Sequence, residues 1–290
     1  MIAEDLILGT AVFSPGYGIA NSNKNVEMED KLTLIQSALN LGLRRFDTAP
    51  SYGDAERILG SFKKAGEEFF VSTKVSLESS KNPKKLRRSI FESMEKLQVS
   101  EIEILYLHNE RTLLEDNPRL LLDELERLKS EGIYRKLGVS IYTGDILQIL
   151  RKEFAEIDVF QVPENICDRR LRDASFAQDL VLDSREYIVR SIFLQGLLLM
   201  QENEIPLHLN QAKPAIDKLR YFAEVNHVSV VDLCLTYARG ISWCDSILVG
   251  ATYPEELAKI VDSQIEMPLG WEDAVPTIPH SVTDPRKWII

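Results

Sequence analysis

Arg44-Arg45-Phe46-Asp47-Thr48-Ala49-Pro50-Ser51-Tyr52-Gly53 sets the pattern from which the fold is read. A short strand-like run leads into an acidic residue, and turn-forming residues follow at once. The same arrangement recurs downstream. Phe69 to Thr73 leads into Lys74, and Ile102 to Leu107 leads into His108. Four more runs of β-branched or aromatic character follow: Lys136 to Ile141, Val159 to Val162, Tyr187 to Phe193 and Ile247 to Val249. With Leu6 to Ala11 at the front, the chain offers eight candidate strands.

Segments of helical period fill the intervals. Leu32, Ile35 and Leu39 fit one helical face, as do Leu121, Leu125 and Leu128, and later Leu257 and Val261. Most strands stand one βα unit apart. The longer interval before Ile247 holds two helical patterns, Lys213 to Val225 and Val228 to Ala238, so an extra helix is expected there. Alternating β and α elements with near-continuous apolar strands predict an α/β fold, a closed (β/α)8 TIM barrel, with a doubly wound open sheet as the competing arrangement. No linker-like or repetitive tract interrupts residues 1–290, which reads as a single domain. Met267 to Ile290, rich in proline and turn residues, is expected to wrap the surface as a C-terminal tail.

Composition narrows the function. Of 290 residues, 44% are hydrophobic and 27% charged, enough apolar surface to bury a core. Lys and Arg number 34 against 45 Asp and Glu, a net charge of −11 that opposes bulk binding to nucleic acid or an anionic membrane. The start, Met1-Ile2-Ala3-Glu4-Asp5, is acidic and no apolar leader segment follows. The longest apolar stretch, Ile192 to Met200, is about half a membrane span. Cys167, Cys234 and Cys244 have no metal-ligand spacing, and neither do His208, His227 and His280. A soluble cytoplasmic protein acting on a small molecule is expected.

The sharpest signal is where polar residues fall. Asp47, Lys74 and His108 each close a predicted strand, and Tyr52 lies in the loop after the second. In a parallel barrel those ends share the face that carries the chemistry. Singly, each has an ordinary structural reading: a turn cap, a solvated amine, a packed ring. Together they make an acid. A phenol with a pKa of about 10 is a poor donor at neutral pH. An ammonium held by a carboxylate would lower that value, and an imidazole would orient a substrate carbonyl. Glu110, close to His108, reads as solvent-facing, and Lys81 to Arg88 as a solvated first helical turn. Asp168-Arg169-Arg170 reads as a local ion network.

Phe46 to Gly53, with Ala55-Glu56 and Leu59-Gly60 behind it, strongly resembles the aldo-keto reductase superfamily. Leu8-Gly9-Thr10, Thr73-Lys74-Val75, Leu107-His108-Asn109, Gly138-Val139-Ser140 and Val249-Gly250-Ala251 match its other landmarks in order, across nearly the whole chain. The resemblance implies a (β/α)8 barrel that interconverts a carbonyl and an alcohol with NADP(H), without a Rossmann domain. It also implies a catalytic tetrad of Asp47, Tyr52, Lys74 and His108. Tyr17-Gly18-Ile19-Ala20-Asn21 and Arg190 to Gly196 resemble a bacterial subgroup that often sits with sugar or polysaccharide metabolism, which favours a polar, sugar-like carbonyl.

Family cofactor positions fall on Gly9 and Thr10 beside the ribose, on Asp47, and on Ser140 and Gln161 at the carboxamide. They continue on Ser191, Leu194 and Gly196 along the pyrophosphate and on Gly250. The chain departs from the family at Ile141, and at Arg190, where a tyrosine commonly stacks. It also departs at Thr252 and Glu256, where a basic residue usually meets the 2′-phosphate, and at Lys259-Ile260 near the adenine. Without that basic residue, use of NAD(H) is open. The departures motivate a second reading, a cofactor-sensing or partner-binding protein with weak turnover; the intact tetrad speaks for the enzyme. A metal-dependent hydrolase would need a His-x-His or carboxylate cluster at strand ends, and none is present.

Overall fold

The computed structural model describes residues 3–19, 26–114 and 118–288. Met1 and Ile2 of the acidic start, Ala20 and Asn21 of the loop after the first strand, and the last two residues of the tail lie outside these. Eight parallel strands close into a barrel in sequence order: β1 Leu6–Gly9, β2 Arg45–Asp47, β3 Phe70–Val75, β4 Ile102–Leu107, β5 Tyr134–Ser140, β6 Val159–Pro163, β7 Glu186–Arg190 and β8 Ser246–Val249. Closure is made by β1 on β8, with Leu6, Ile7 and Leu8 beside Ile247, Leu248 and Val249. The closed barrel therefore prevails over the open sheet.

Helices cover the outside, including Met28–Asn40, Ala55–Lys64, Pro83–Leu97, Arg119–Ser130, Gly144–Glu153 and Pro254–Asp262. Two further helices, Lys213–Val225 and Val230–Arg239, stand between β7 and β8, so the extra helix is present. The second starts two residues later than its apolar pattern because Ser229 caps it, accepting from the amide of Asp232. Among the described residues no helix is long and apolar enough to cross a membrane.

The core has two layers. Ile7, Ile104, Tyr106, Val159 and Ile188 fill the barrel interior, while a larger cluster lies between strands and helices. One interior contact dictates a residue. Gly138 of β5 sits beside Tyr106 of β4, and a Cβ there would stand 2.4 Å from the Tyr106 ring. Gly60 is required for a similar reason, since its Cβ would meet the Lys96 carbonyl of the neighbouring helix at 2.0 Å.

Several elements differ from expectation. β7 ends at Arg190, not Phe193, because Ser191 and Leu194 adopt positive φ of 62° and 48°, which no strand tolerates. β1 ends at Gly9, and Ala11–Phe13 forms a 3-10 turn instead. Leu32 is exposed; Leu34, Ile35, Ala38 and Leu39 make the buried face of its helix. The tail does more than wrap the surface: Ile278 donates to the Cys167 carbonyl at 2.8 Å, and Arg286 reaches Glu110 at 3.1 Å. Glu110 is buried as a result, not solvent-facing.

Ions close the end of the barrel where the strands begin. Glu186, first in β7, pairs with Arg45 of β2 at 2.6 Å and with Lys136 of β5 at 2.7 Å. Burial pushes the Glu186 carboxyl up, but the Lys136 hydrogen bond and the Arg45 charge outweigh it and hold the group below its ordinary value. Removing a carboxylate from two partly shielded cations costs several kcal/mol when fully buried and less here, since Lys136 is 43% exposed. Glu186→Ala should lower stability by about 2 kcal/mol at pH 7. Because the folded value is depressed, that contribution is present above the unfolded carboxyl value and is lost as pH falls through the folded one. Thermal unfolding of both proteins at pH 7 and near pH 3 should show a gap that closes in acid.

Candidate active site

The rim formed by the strand ends opens into a cavity of about 1010 Å³. Asp47, Lys74, His108 and Tyr52 all line it, so four residues far apart in sequence converge. Lys74, on β3, is 2% exposed and donates to Asp47 Oδ1 through a short contact and to the Thr48 carbonyl at 2.9 Å. Asp47 Oδ2 accepts from Gln161 Nε2 at 3.0 Å. The pair is thus held by hydrogen bonds from beside it and, through Gln161 of β6, from across the barrel, as a buried ion pair requires. The Lys74 ammonium lies 5.1 Å from the centroid of the Tyr52 ring, a cation–π placement, and the Tyr52 and His108 rings meet edge to face at 6.2 Å.

The electrostatics differ from the sequence expectation. Tyr52 is held well above the ordinary phenol value, by burial first and then by the Asp47 carboxylate, with Arg190 pulling the other way. The net shift is upward because burial and the Asp47 carboxylate outweigh the positive charge nearby. His108 is pushed down to about 4, chiefly by burial and then by the Lys74 charge, so its imidazole is neutral at pH 7.

Other predicted positions divide. Gly9, Ser140, Gln161, Arg190, Ser191, Gly196, Gly250, Thr252 and Glu256 line the cavity. Thr10 and Leu194 do not; Thr10 is fully buried with its hydroxyl on the Asp47 carbonyl at 3.1 Å, and Leu194 packs into the core. The turn after β7 is strained: Ser191, Leu194 and Gln195 are three of the five non-glycine residues with positive φ among the described residues, and Gly196 follows at 90°. Such strain costs on the order of 1–3 kcal/mol per residue and clusters where ligands are clamped. Glu256 lies in the first turn of Pro254–Asp262, and its carboxylate accepts from the amides of Thr252 at 2.7 Å and Tyr253 at 3.3 Å. It holds amide donors at a helix start, where an anion would otherwise bind.

Tyr142 was not among the expected residues. It lines the cavity, with the Arg190 guanidinium 4.3 Å and the Arg286 guanidinium 3.6 Å from its ring centroid. An aromatic two positions past the Ser140 strand end was the available signal. Asp168 and Arg170 form the expected local pair, at 2.5 Å. Among the described residues no cluster of side chains could hold a metal ion.

This barrel, with an acid–base constellation at the carboxyl ends of its strands, has the architecture of a TIM-barrel enzyme. Residues 5–273 match the aldo/keto reductase family, and the chain belongs to it. It is 26% identical to D-threo-aldose 1-dehydrogenase of a Pseudomonas species, covering 90% of this chain and 92% of that protein. It is also 26% identical to L-galactose dehydrogenase of Arabidopsis thaliana, over 90% of this chain and 86% of the relative. The glycerol dehydrogenase of Gluconobacter oxydans shares the fold, with a TM-score of 0.69 at 21% identity over 93% of this chain and 89% of that one. The family and these relatives make the protein an oxidoreductase of the aldo-keto reductase type.

The imidazole of His108 should remain neutral through pH 5. Its ring 15N shifts, followed by NMR from pH 8 to 4, should show no protonation step near 6.5. Because its folded value is depressed, stability is complete above about pH 6.5 and declines as pH falls toward about 4, where the unfolded chain binds the proton first. A midpoint at the free-histidine value would contradict the burial assigned to it.

Proposed function

We propose that the cavity binds an extended nicotinamide dinucleotide together with a small, polar, sugar-like substrate, and that Tyr52 exchanges the proton as a carbonyl and an alcohol interconvert. The observation that carries this reading is one continuous cavity reaching from the tetrad past Ser140 and Gln161 to the Ser191–Gly196 turn and on to Gly250 and Glu256. At about 1010 Å³ it lies at the upper end of the range for small-molecule sites.

The residues present fit such a group. Gln161 spends its amide N–H on Asp47 and keeps its carbonyl to accept, beside the Ser140 hydroxyl, which suits a carboxamide. A Cβ on Gly250 would meet only open space. The bound cofactor would exchange hydride with the substrate carbon. Tyr52 would give its proton to the carbonyl oxygen in reduction, and its raised pKa keeps that proton in place at neutral pH. Neutral His108 would donate a hydrogen bond to the same oxygen. Lys74 and Asp47 would fix the Tyr52 ring. The names of the aldose and galactose dehydrogenases support a sugar substrate, as do the phenols of Tyr17 and Tyr142 on the wall.

Tyr52→Phe tests the acid. The variant should fold and bind cofactor, while turnover of aldoses falls by about 10² to 10⁴-fold. Steady-state rates of both proteins with a panel of aldoses decide it; equal rates would remove Tyr52 from the chemistry.

Cofactor choice follows from Glu256. A carboxylate already seated on the helix-start amides repels a 2′-phosphate, and one charge pair at ~5 Å in water is worth roughly 1 kcal/mol. With two phosphate charges, discrimination against NADPH is about tenfold. NADH should therefore be accepted, with any NADPH preference weak. Glu256→Gln keeps an acceptor for the amides and removes the charge, so it should tighten NADPH about tenfold and leave NADH unchanged. Fluorescence titration of both cofactors into both proteins measures this, and strongly selective NADPH binding by the unaltered protein would overturn it.

A further inference from the structure

The oxidised and reduced forms of a nicotinamide cofactor differ at one place: the oxidised ring carries a positive charge that the reduced ring lacks. The rest of the dinucleotide is common to both, so a charge fixed near the ring separates their affinities. The two residues proposed to hold the carboxamide stand at the ends of neighbouring strands, with Ser140 of β5 in register with Gln161 of β6. The ring is bonded directly to that carboxamide and would lie beside the same strand ends.

Arg190 brings a cation there. It ends β7 in register with Pro163, two residues past Gln161 on β6. Its guanidinium reaches back across the end of β6 and donates to the carbonyl of Ile141, the residue after Ser140, at 2.9 Å. A second N–H goes to the Ser191 hydroxyl at 3.1 Å, and the Tyr142 ring centroid lies 4.3 Å away. Both acceptors are neutral, and among the described residues no carboxylate forms an ion pair with Arg190. Ser140, Gln161 and Arg190 all line the one cavity. Of the other charged residues on its wall, Asp47 and Lys74 contact each other, and Glu256 and Lys259 belong to the helix after β8. Resting on the reading of this cavity as a nicotinamide site, we propose that Arg190 makes the site selective for redox state, holding the reduced cofactor and disfavouring the oxidised one by like charge.

A guanidinium fits this role. It stays charged at every working pH, and it packs against flat groups, as it already does against Tyr142. It is ordered by a backbone carbonyl, a hydroxyl and a ring, so its charge is not offset by a counter-ion. One like-charge encounter in a half-buried site is worth about tenfold in affinity. In a mixed pool the protein would then carry mainly the reduced cofactor.

The test is calorimetric titration of NADH and NAD⁺. In the unaltered protein the Kd of the oxidised form should exceed that of the reduced form by about tenfold or more. Arg190→Gln and Arg190→Met, neutral variants of different shape, should each lower that ratio about tenfold, whereas Arg190→Lys should keep most of it. ADP-ribose, which lacks the ring, should bind all four proteins alike, separating a charge effect at the ring from a general loosening of the cavity. NADPH and NADP⁺ differ at the ring in the same way and should give the same ratio. Equal affinity for the two redox forms in the unaltered protein would overturn the inference without any variant having to fold. A ratio unmoved in the neutral variants would overturn it as well. No binding of either cofactor pair or of ADP-ribose would instead remove the nicotinamide reading on which it rests.

Discussion

The pairing of β1 with β8 is the constraint on which the remaining structure depends. Leu6, Ile7 and Leu8 lie beside Ile247, Leu248 and Val249, residues from opposite ends of the chain. Closure leaves no strand edge, tilts every strand and forces all eight carboxyl ends onto one rim. Asp47, Lys74, His108, Gln161, Arg190 and Glu256 converge for that reason alone. Closure also limits what the interior can hold. Tyr106 fits inside only because Gly138 beside it has no side chain, and the opposite end is filled by ions whose carboxylate, Glu186, reaches two strands at once.

Charge within the rim is arranged by subtraction. Burying an ammonium and a carboxylate costs several kcal/mol per ion, and only close contact with further hydrogen bonds offsets that. Lys74 and Asp47 meet those terms, with Thr48 and Gln161 filling their remaining bonds. The pair is therefore a rigid, nearly neutral unit that shapes the pocket. Burial keeps His108 uncharged, and Glu256 directs its charge into a helix start.

Most of the barrel was legible in the sequence because strands buried on both faces are apolar along their length, and a run such as Ile102 to Leu107 matches its strand residue for residue. The tetrad was legible because its residues close those runs. The same apolar criterion failed at Ile192 and Phe193, which are buried but lie in a turn; hydrophobicity reports burial, not φ. It failed at Leu32 because Leu34 and Ile35 define the inward face. Glu110 looked solvent-facing because its partner, Arg286, lies 176 positions away, and no spacing rule connects them. The sign of the Tyr52 shift was hidden for a related reason. Sequence places a lysine near a tyrosine but says nothing of how deeply the ring is buried or how near the Asp47 carboxylate lies.

Two guanidiniums packed on one phenol ring show how the fold holds an unpaired charge in place. Arg286 arrives from the tail with two carboxylates and fixes Tyr142 from outside the catalytic cavity. Tyr142 in turn gives Arg190 a flat surface, and the backbone at Ile141 gives it an acceptor, neither of which carries charge. Arg190 is therefore ordered by packing and dipoles instead of by a counter-ion. A charge held that way needs no reorganisation when a negative centre forms nearby, which is the condition for electrostatic preorganisation to be effective.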